Sequence, residues 1–223
     1  MLTSVDGKIS PGDTDILDVD KDFPTLTGIK EGLQQYYDIE KTTDLYSLNT
    51  GRVFAKIGIN ERDDLPTKLP VSFVVVDSRP HLTERGVRYL SRWAAKLIVA
   101  TANPAHPAYD VRPHSDNVHI VPYTDIVDLP SLFEELGTKY GVQKLTIQSG
   151  GTLNAALIRQ GLVDRVLLVI APALIGGKST PTLMDGVSLS SPQDLSQIKA
   201  LRLIQATSLK DSYLLLEYRV NNS

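Results

Sequence analysis

The sequence predicts an α/β fold of three layers, in which a mainly parallel sheet is flanked by helices and closed by a C-terminal antiparallel hairpin. Residues 71–76 (VSFVVV) form a β-branched run typical of a strand buried on both faces of a parallel sheet. Extended and helical patterns alternate after this run. Residues 200–208 and 212–220 are two extended apolar runs separated by a short turn, which indicates the hairpin.

The N-terminal third has weaker patterns. Residues 2–5 form a short apolar segment that ends in an Asp-Gly turn, and the acidic residues 10–24 have the composition of a surface excursion. Helical spacing of apolar residues predicts a helix over 27–41, although Gly28 and Gly32 weaken it.

The elements of the central part follow in order. A strand over 44–48 leads to Thr50-Gly51-Arg52, which opens a helix running to about residue 57. After the strand at 71–76, Thr83 caps a helix that runs through Trp93 and is followed by a strand over 96–100. The remaining predicted elements are a strand at 118–121, a helix at 129–140, a strand at 144–148, a helix at 152–160 and a strand at 163–171.

Composition excludes several classes of function. The 223 residues are 42% hydrophobic, and 23 basic against 26 acidic side chains give a net charge of −3, so no basic surface for nucleic acid or anionic lipid is expected. Residues 166–175, the longest apolar stretch, are too few to span a bilayer, which needs about 20. No membrane partner is expected, and since no export signal is visible at the N-terminus, cytoplasmic residence is expected.

Metal and thiol chemistry are also disfavoured. The absence of cysteine excludes disulfides, thiolate nucleophiles and cysteine-ligated zinc. The four histidines have no metal-binding spacing, so no metal site is predicted and surface or capping positions are expected for them; they are His81, His106, His114 and His119.

Two strand-to-helix junctions carry candidate chemistry. At the first, Gly150-Gly151 lies between a predicted strand and helix, where a backbone without Cβ and free N–H groups attract a phosphate. The alternative is an ordinary tight turn with Thr152 as the N-cap. At the second, Arg52 stands at a helix start and would suit the 2′-phosphate of NADP, or it is a solvated surface residue.

Three segments carry a recognisable pattern. Residues 3–9 (TSVDGKI) contain a Ser-hydrophobic-Asp-Gly-Lys start, residues 74–78 (VVVDS) form a strand that ends in Asp-Ser, and residues 149–177 (SGGTLNAALIRQGLVDRVLLVIAPALIGG) contain a Gly-rich turn, a Leu-Val-Asp turn and an Ala-Pro segment. In order and spacing these segments resemble the reductase domain of riboflavin biosynthesis, the C-terminal half of a bifunctional deaminase-reductase with a dihydrofolate reductase-like fold.

The resemblance implies an NADPH-dependent reductase that acts by hydride transfer on a small phosphoribosylamino-pyrimidine, like 5-amino-6-(5-phosphoribosylamino)uracil reductase, and a homodimer. It places Asp6 nearest the reacting carbon. Partial burial would raise the pKa of Asp6 and allow it to act as an acid; the alternative is that Asp6-Gly7 is simply a turn. Gln148 would bind substrate in place of the family's usual Glu. The cofactor would be bound by Ser4, Thr50, Gly51, Arg52, Ser78, Gly150, Gly151, Thr152, Leu153 and Asn154.

Departures from the family pattern keep alternatives open. Gln148 cannot accept a proton, and Arg52 and Lys56 replace the usual Thr and Asp of the second junction. The alternatives are a dihydrofolate reductase-like enzyme with another substrate and a non-catalytic nucleotide-binding relative. Without cysteine the chain lacks the ligands of a deaminase zinc site, so a single reductase-like domain over residues 1–223 without a deaminase domain is expected.

Overall fold

The computed structural model describes residues 1–222, which form two compact units. Unit 1 comprises residues 1–43 and the part of the chain from Gly150 onward, and unit 2 comprises residues 44–149. The strands are β1 (Leu2–Thr3), β2 (Tyr46–Thr50), β3 (Ser72–Val76), β4 (Leu97–Thr101), β5 (Val118–Pro122), β6 (Thr146–Ile147), β7 (Arg165–Ile170), β8 (Leu201–Ser208) and β9 (Leu214–Val220). The α-helices are α1 (Val19–Asp22), α2 (Gln34–Glu40), α3 (Gly51–Lys56), α4 (Glu84–Trp93), α5 (Ala108–Val111), α6 (Leu129–Tyr140) and α7 (Gly151–Arg159).

Unit 2 contains a five-stranded sheet in the order β5-β4-β3-β2-β6, and every neighbouring pair in it is parallel. The predicted β-branched strand lies at its centre as β3, where Val74 and Val75 are fully buried. Because side chains alternate along a strand, these two residues face opposite sides of the sheet. Both faces are therefore covered, as the sequence pattern predicts.

Helices cover the two faces of this sheet. On one face, Phe73 and Val75 belong to a core cluster with Phe54 of α3 and Leu90 of α4. On the other face, the His119 ring of β5 contacts the Tyr140 ring at the end of α6, with ring centres 5.5 Å apart. The side-chain oxygens of Thr83 and Asp128 cap the first turns of α4 and α6. These caps fix where each helix begins after the preceding strand, β3 for α4 and β5 for α6.

Unit 1 contains a four-stranded sheet in the order β1-β7-β9-β8. β1 is parallel to β7, whereas β7-β9 and β9-β8 are antiparallel, so the predicted C-terminal hairpin is confirmed. Its core includes Phe23, Leu33 and Tyr213, and the Tyr213 hydroxyl donates to the Ile29 carbonyl at 2.6 Å. The mixed α/β class is confirmed, and its strands lie in two sheets.

The predicted helix over 27–41 is wrong for its first half, since α2 spans only Gln34–Glu40. Gly28 has a φ of +88°, a left-handed conformation that an α-helix does not contain. Gly32 packs against the Tyr213 ring, which leaves no space for a side chain there. Among residues 1–222, no helix has the length and apolar content needed to cross a bilayer.

Candidate functional site

Helix α7 begins at the glycine pair without a side-chain cap. Gly150 is the N-cap residue, and it has no side chain to accept a hydrogen bond from the first turn. Gly150 has an ordinary φ of −75°, and no atom lies within 4 Å of the position that a Cβ would take. The fold therefore does not require glycine at this position. The space beside Gly150 and the N–H groups of the first turn suit an anionic ligand.

Gly151 is a glycine for a different reason. A Cβ at this position would overlap the Thr182 carbonyl and the Asp185 carboxylate. The segment carrying them is held in place because the Asp185 N–H donates to the Gly151 carbonyl at 3.0 Å and Asp185 also binds Thr182. The close approach at Gly151 is thus made by the protein's own chain.

The next three residues of α7 have separate environments. Thr152 is exposed and Leu153 is half-buried, whereas Asn154 is buried. The Asn154 amide donates to the Leu183 carbonyl at 2.9 Å, so its side chain supports the segment that covers Gly151. Thr152 is not the N-cap, because the capping position is Gly150.

The second predicted junction is the start of α3. Thr50 is its N-cap and accepts from the Val53 N–H at 3.3 Å, so its hydroxyl stabilises the helix start. Arg52 is exposed in the first turn. Gly51 is buried, and a Cβ there would overlap the Asp77 carboxylate.

Ser78 lies directly after β3. Its hydroxyl oxygen accepts from the Ala102 N–H at 3.1 Å, while the Thr101 hydroxyl donates to the Asp77 carbonyl at 2.9 Å. These bonds join the ends of β3 and β4 in unit 2. In parallel α/β sheets, ligands bind beyond these carboxyl ends of strands.

Ser4 and Asp6 form a hydrogen-bonded turn after β1. The Ser4 hydroxyl donates to Asp6 Oδ1 at 2.6 Å and accepts from the Lys8 N–H at 2.9 Å. Asp6 also accepts from the N–H groups of Ile175 and Gly176, at 3.1 Å and 2.6 Å. The hydroxyl of Ser4, followed by these N–H groups, lowers the pKa of Asp6 to about 2.

The expectation of a raised pKa at Asp6 is therefore wrong. The side chain is exposed, so the small effect of burial, which raises the pKa, is outweighed by hydrogen bonds that all stabilise the carboxylate. At neutral pH Asp6 has no proton to donate. Its carboxylate holds the loop that contains Gly176 and Gly177, both of which have positive φ.

Gln148 lies at the end of β6 in unit 2. Its Oε1 accepts from the Ser47 hydroxyl at 2.9 Å, and the Ser47 oxygen accepts in turn from the Asn49 amide at 3.0 Å. Ser47 and Asn49 are buried on the same face of β2. This polar row fixes the orientation of the Gln148 amide.

A buried group that the sequence analysis did not single out lies beside Gly51. The carboxylate of Asp77, whose side chain is 1% exposed, is 3.0 Å from His81 Nδ1 and 3.1 Å from His106 Nε2. It also accepts from the N–H groups of His81 and Leu82 at 3.1 Å. The sequence signals for Asp77 were its place at the end of an apolar strand and within the VVVDS segment that resembles the family's central strand.

The two histidines differ in exposure. His106 is fully buried, so of the two expected positions the surface one is wrong, whereas a capping contact is present at Ala108, the first residue of α5. Its Nδ1 accepts from the Ala108 N–H at 3.1 Å, which leaves the proton on Nε2 to donate to Asp77. Burial alone would raise the pKa of Asp77, but the hydrogen bonds from His106, His81 and the backbone outweigh burial and lower it.

Comparison with known proteins gives relatives along almost the whole chain. A 2,5-diamino-6-ribosylamino-4(3H)-pyrimidinone 5′-phosphate reductase of Methanothermobacter thermautotrophicus is 32% identical over 200 residues, 86% of each chain. A reductase of the same name from Archaeoglobus fulgidus is 34% identical over 131 residues, 57% of each chain.

Solved structures share the fold. RibD of Acinetobacter baumannii has a TM-score of 0.67 at 16% identity, and the match covers 99% of this chain and 56% of that chain, so the chain spans about half the length of that protein. The sequence profile of the RibD C-terminal domain matches residues 1–215. With nearly its full length matched, the chain belongs to the RibD C-terminal domain family.

Proposed function

We propose that the protein is an NADPH-dependent reductase of riboflavin biosynthesis and that its substrate is 2,5-diamino-6-ribosylamino-4(3H)-pyrimidinone 5′-phosphate. The family and the names of the relatives support a reductase, and the relatives in Methanothermobacter and Archaeoglobus are named for this substrate. The observation that carries the cofactor assignment is the uncapped start of α7 beside the open space at Gly150.

Each unit by itself has groups that suit part of a phosphorylated nucleotide cofactor. The first-turn N–H groups of α7, at Gly151, Thr152 and Leu153, are donors that suit a phosphate, and the missing Cβ at Gly150 leaves space for it. In unit 2, Arg52 supplies a guanidinium for a 2′-phosphate, and Ser78 lies at a strand end. NADPH supplies the hydride when bound.

The remaining predicted residues would position groups around the reaction. Ser4 and Asp6 fix the loop at Gly176, and we assign Asp6 this positioning role in place of proton donation. Gln148 presents an amide that Ser47 orients, and we assign it to hydrogen bonding with the substrate's pyrimidine. A neutral amide at this place orients a substrate but does not move a proton.

The test is titration of the purified protein with NADPH and with NADH by nucleotide fluorescence, followed by assays of NADPH oxidation. We expect tighter binding of NADPH and turnover with the diamino-pyrimidinone phosphate. Absence of binding to either nucleotide would overturn the reductase assignment. Binding without oxidation across a panel of pyrimidine and pterin substrates would favour a non-catalytic relative, and turnover only with another member of the panel would reassign the substrate.

We further propose a homodimer that uses β8. This eight-residue strand is at the edge of its sheet, and Leu201, Leu203 and Ile204 on it are 43–54% exposed. An exposed apolar edge strand is a ready surface for pairing with another chain.

The expected result for this dimer is a mass of twice 24.5 kDa in light scattering coupled to size exclusion. Leu203→Glu is expected to shift the protein to monomer, because a charge at the interface would be desolvated. Leu65→Glu changes an equally apolar residue that is 82% exposed in unit 2, and it should leave the mass unchanged. A monomeric wild type, or a Leu203→Glu dimer, would contradict the proposal.

A further inference from the structure

The buried carboxylate of Asp77 joins three connections that follow neighbouring parallel strands in unit 2. It accepts from the N–H groups of His81 and Leu82 in the connection from β3 to α4. It accepts from His106 in the connection from β4 to α5. It also packs against Gly51, where β2 passes into α3, so tightly that no side chain fits there.

The geometry requires an ionised acceptor at this place. Both carboxylate oxygens face donors, since Oδ1 meets the N–H and ring of His81, whereas Oδ2 meets Leu82 and His106. If asparagine replaced Asp77, its NH₂ group would face at least one of these N–H donors in either orientation of the side chain. The buried donors left without an acceptor would destabilise the local structure. The three connections are thus coupled through one negative charge.

Two of these three connections carry residues assigned to the nucleotide. Gly51 and Arg52 follow β2, and Ser78 directly follows Asp77. Their backbone positions depend on where the carboxylate holds the adjoining turns. We propose that Asp77 is a positioning residue of the nucleotide site in unit 2, one that arranges the start of α3 and the β3–α4 turn to receive the cofactor. This inference rests on the proposed function.

The central experiment is the NADPH dissociation constant of Asp77→Asn compared with wild type. We expect it to rise about 10- to 100-fold, since without these charge-assisted hydrogen bonds binding must also order the start of α3 and the β3–α4 turn. The kcat at saturating NADPH should change by less than about threefold, because Asp77 acts on ground-state binding rather than on the reacting atoms. His81→Ala is the second variant, for the case that Asp77→Asn does not fold. It removes one partly exposed hydrogen-bond partner of Asp77 and should raise the NADPH dissociation constant by about three- to tenfold.

The matched control is Leu136→Ala. Leu136 is 2% exposed in α6 of the same unit, so its loss lowers Tm without removing any contact of Asp77. We expect Leu136→Ala to bind NADPH within about twofold of wild type. If Leu136→Ala and Asp77→Asn weakened NADPH binding equally at an equal loss of Tm, the effect would be one of general stability and the proposal would be overturned. Wild-type NADPH affinity in both His81→Ala and Asp77→Asn would also overturn it.

Hydrogen exchange separates this proposal from the function on which it rests. In Asp77→Asn, or in His81→Ala where the former does not fold, amide exchange should rise at residues 51–53, 78–82 and 102–108 together, and Leu136→Ala should not show this pattern. A rise confined to residues 81 and 82 would overturn the coupling. If the wild-type protein binds no NADPH, the proposed function fails, and with it the role of Asp77 in cofactor binding. The hydrogen-exchange result still decides whether Asp77 couples the three connections.

Discussion

Gly151→Ala is expected to destabilise the protein by about 1–3 kcal/mol, the usual range for overpacking. The added methyl group would overlap the Thr182 carbonyl, which is backbone and does not rotate away, and the Asp185 carboxylate. The better helix propensity of alanine, about 1 kcal/mol at most, does not offset this overlap. Denaturant unfolding followed by circular dichroism measures the difference.

Gly150→Ala is the matched variant for this prediction. Its Cβ meets no atom within 4 Å and its φ is ordinary, so we expect stability within about 0.5 kcal/mol of wild type. NADPH affinity should nevertheless fall about tenfold, because the methyl group occupies the space assigned to the ligand. If the two variants lost equal stability, the distinction between a glycine required by the chain and one that leaves ligand space would be wrong.

Arg52→Ala is expected to reduce the preference for NADPH over NADH by about 10- to 100-fold. This factor corresponds to the binding free energy of a charge-assisted hydrogen bond to phosphate. The affinity for NADH should not change, since NADH has no 2′-phosphate. Competition titrations with both nucleotides give the ratio directly. Arg52→Lys should have an intermediate effect, because an ammonium group retains the charge but not the bidentate geometry.

The control for Arg52 is Arg92→Ala, which removes one positive charge from an exposed position at the end of α4 in the same unit. This change should leave the nucleotide preference unaltered. An Arg52→Ala variant that kept the wild-type preference would exclude the 2′-phosphate role, and a similar loss in Arg92→Ala would indicate a general effect of net charge.

Local patterns predicted the strands and most helices well. The run at 71–76 became β3 (Ser72–Val76), and the Thr83 cap is present, because β-branched runs and side-chain caps act within a few residues. The family relationship was also recognisable, since the glycine-rich segment is continuous in sequence. The single-domain organisation and the site roles stay predictions.

What the sequence did not reveal depends on residues far apart in the chain. Gly151 was interpreted as space for a cofactor and Gly51 was assigned to cofactor binding through the resemblance, yet each packs against a carboxylate from elsewhere, Asp185 and Asp77 respectively. The burial of His106 was not predicted, because its partner Asp77 is 29 residues away in the sequence, directly after β3. Patterns of neighbouring residues do not contain these tertiary contacts.

The alternation of the two units along the chain has a consequence for biosynthesis. Unit 2 is one continuous segment, so all its parallel strands are available as soon as residue 149 has left the ribosome. Unit 1 is interrupted, and Leu2 of β1 pairs with Val169 of β7. Strand β1 therefore cannot pair until unit 2 and then β7 have been synthesised. Unit 1 is for this reason the late-folding part of the nascent chain.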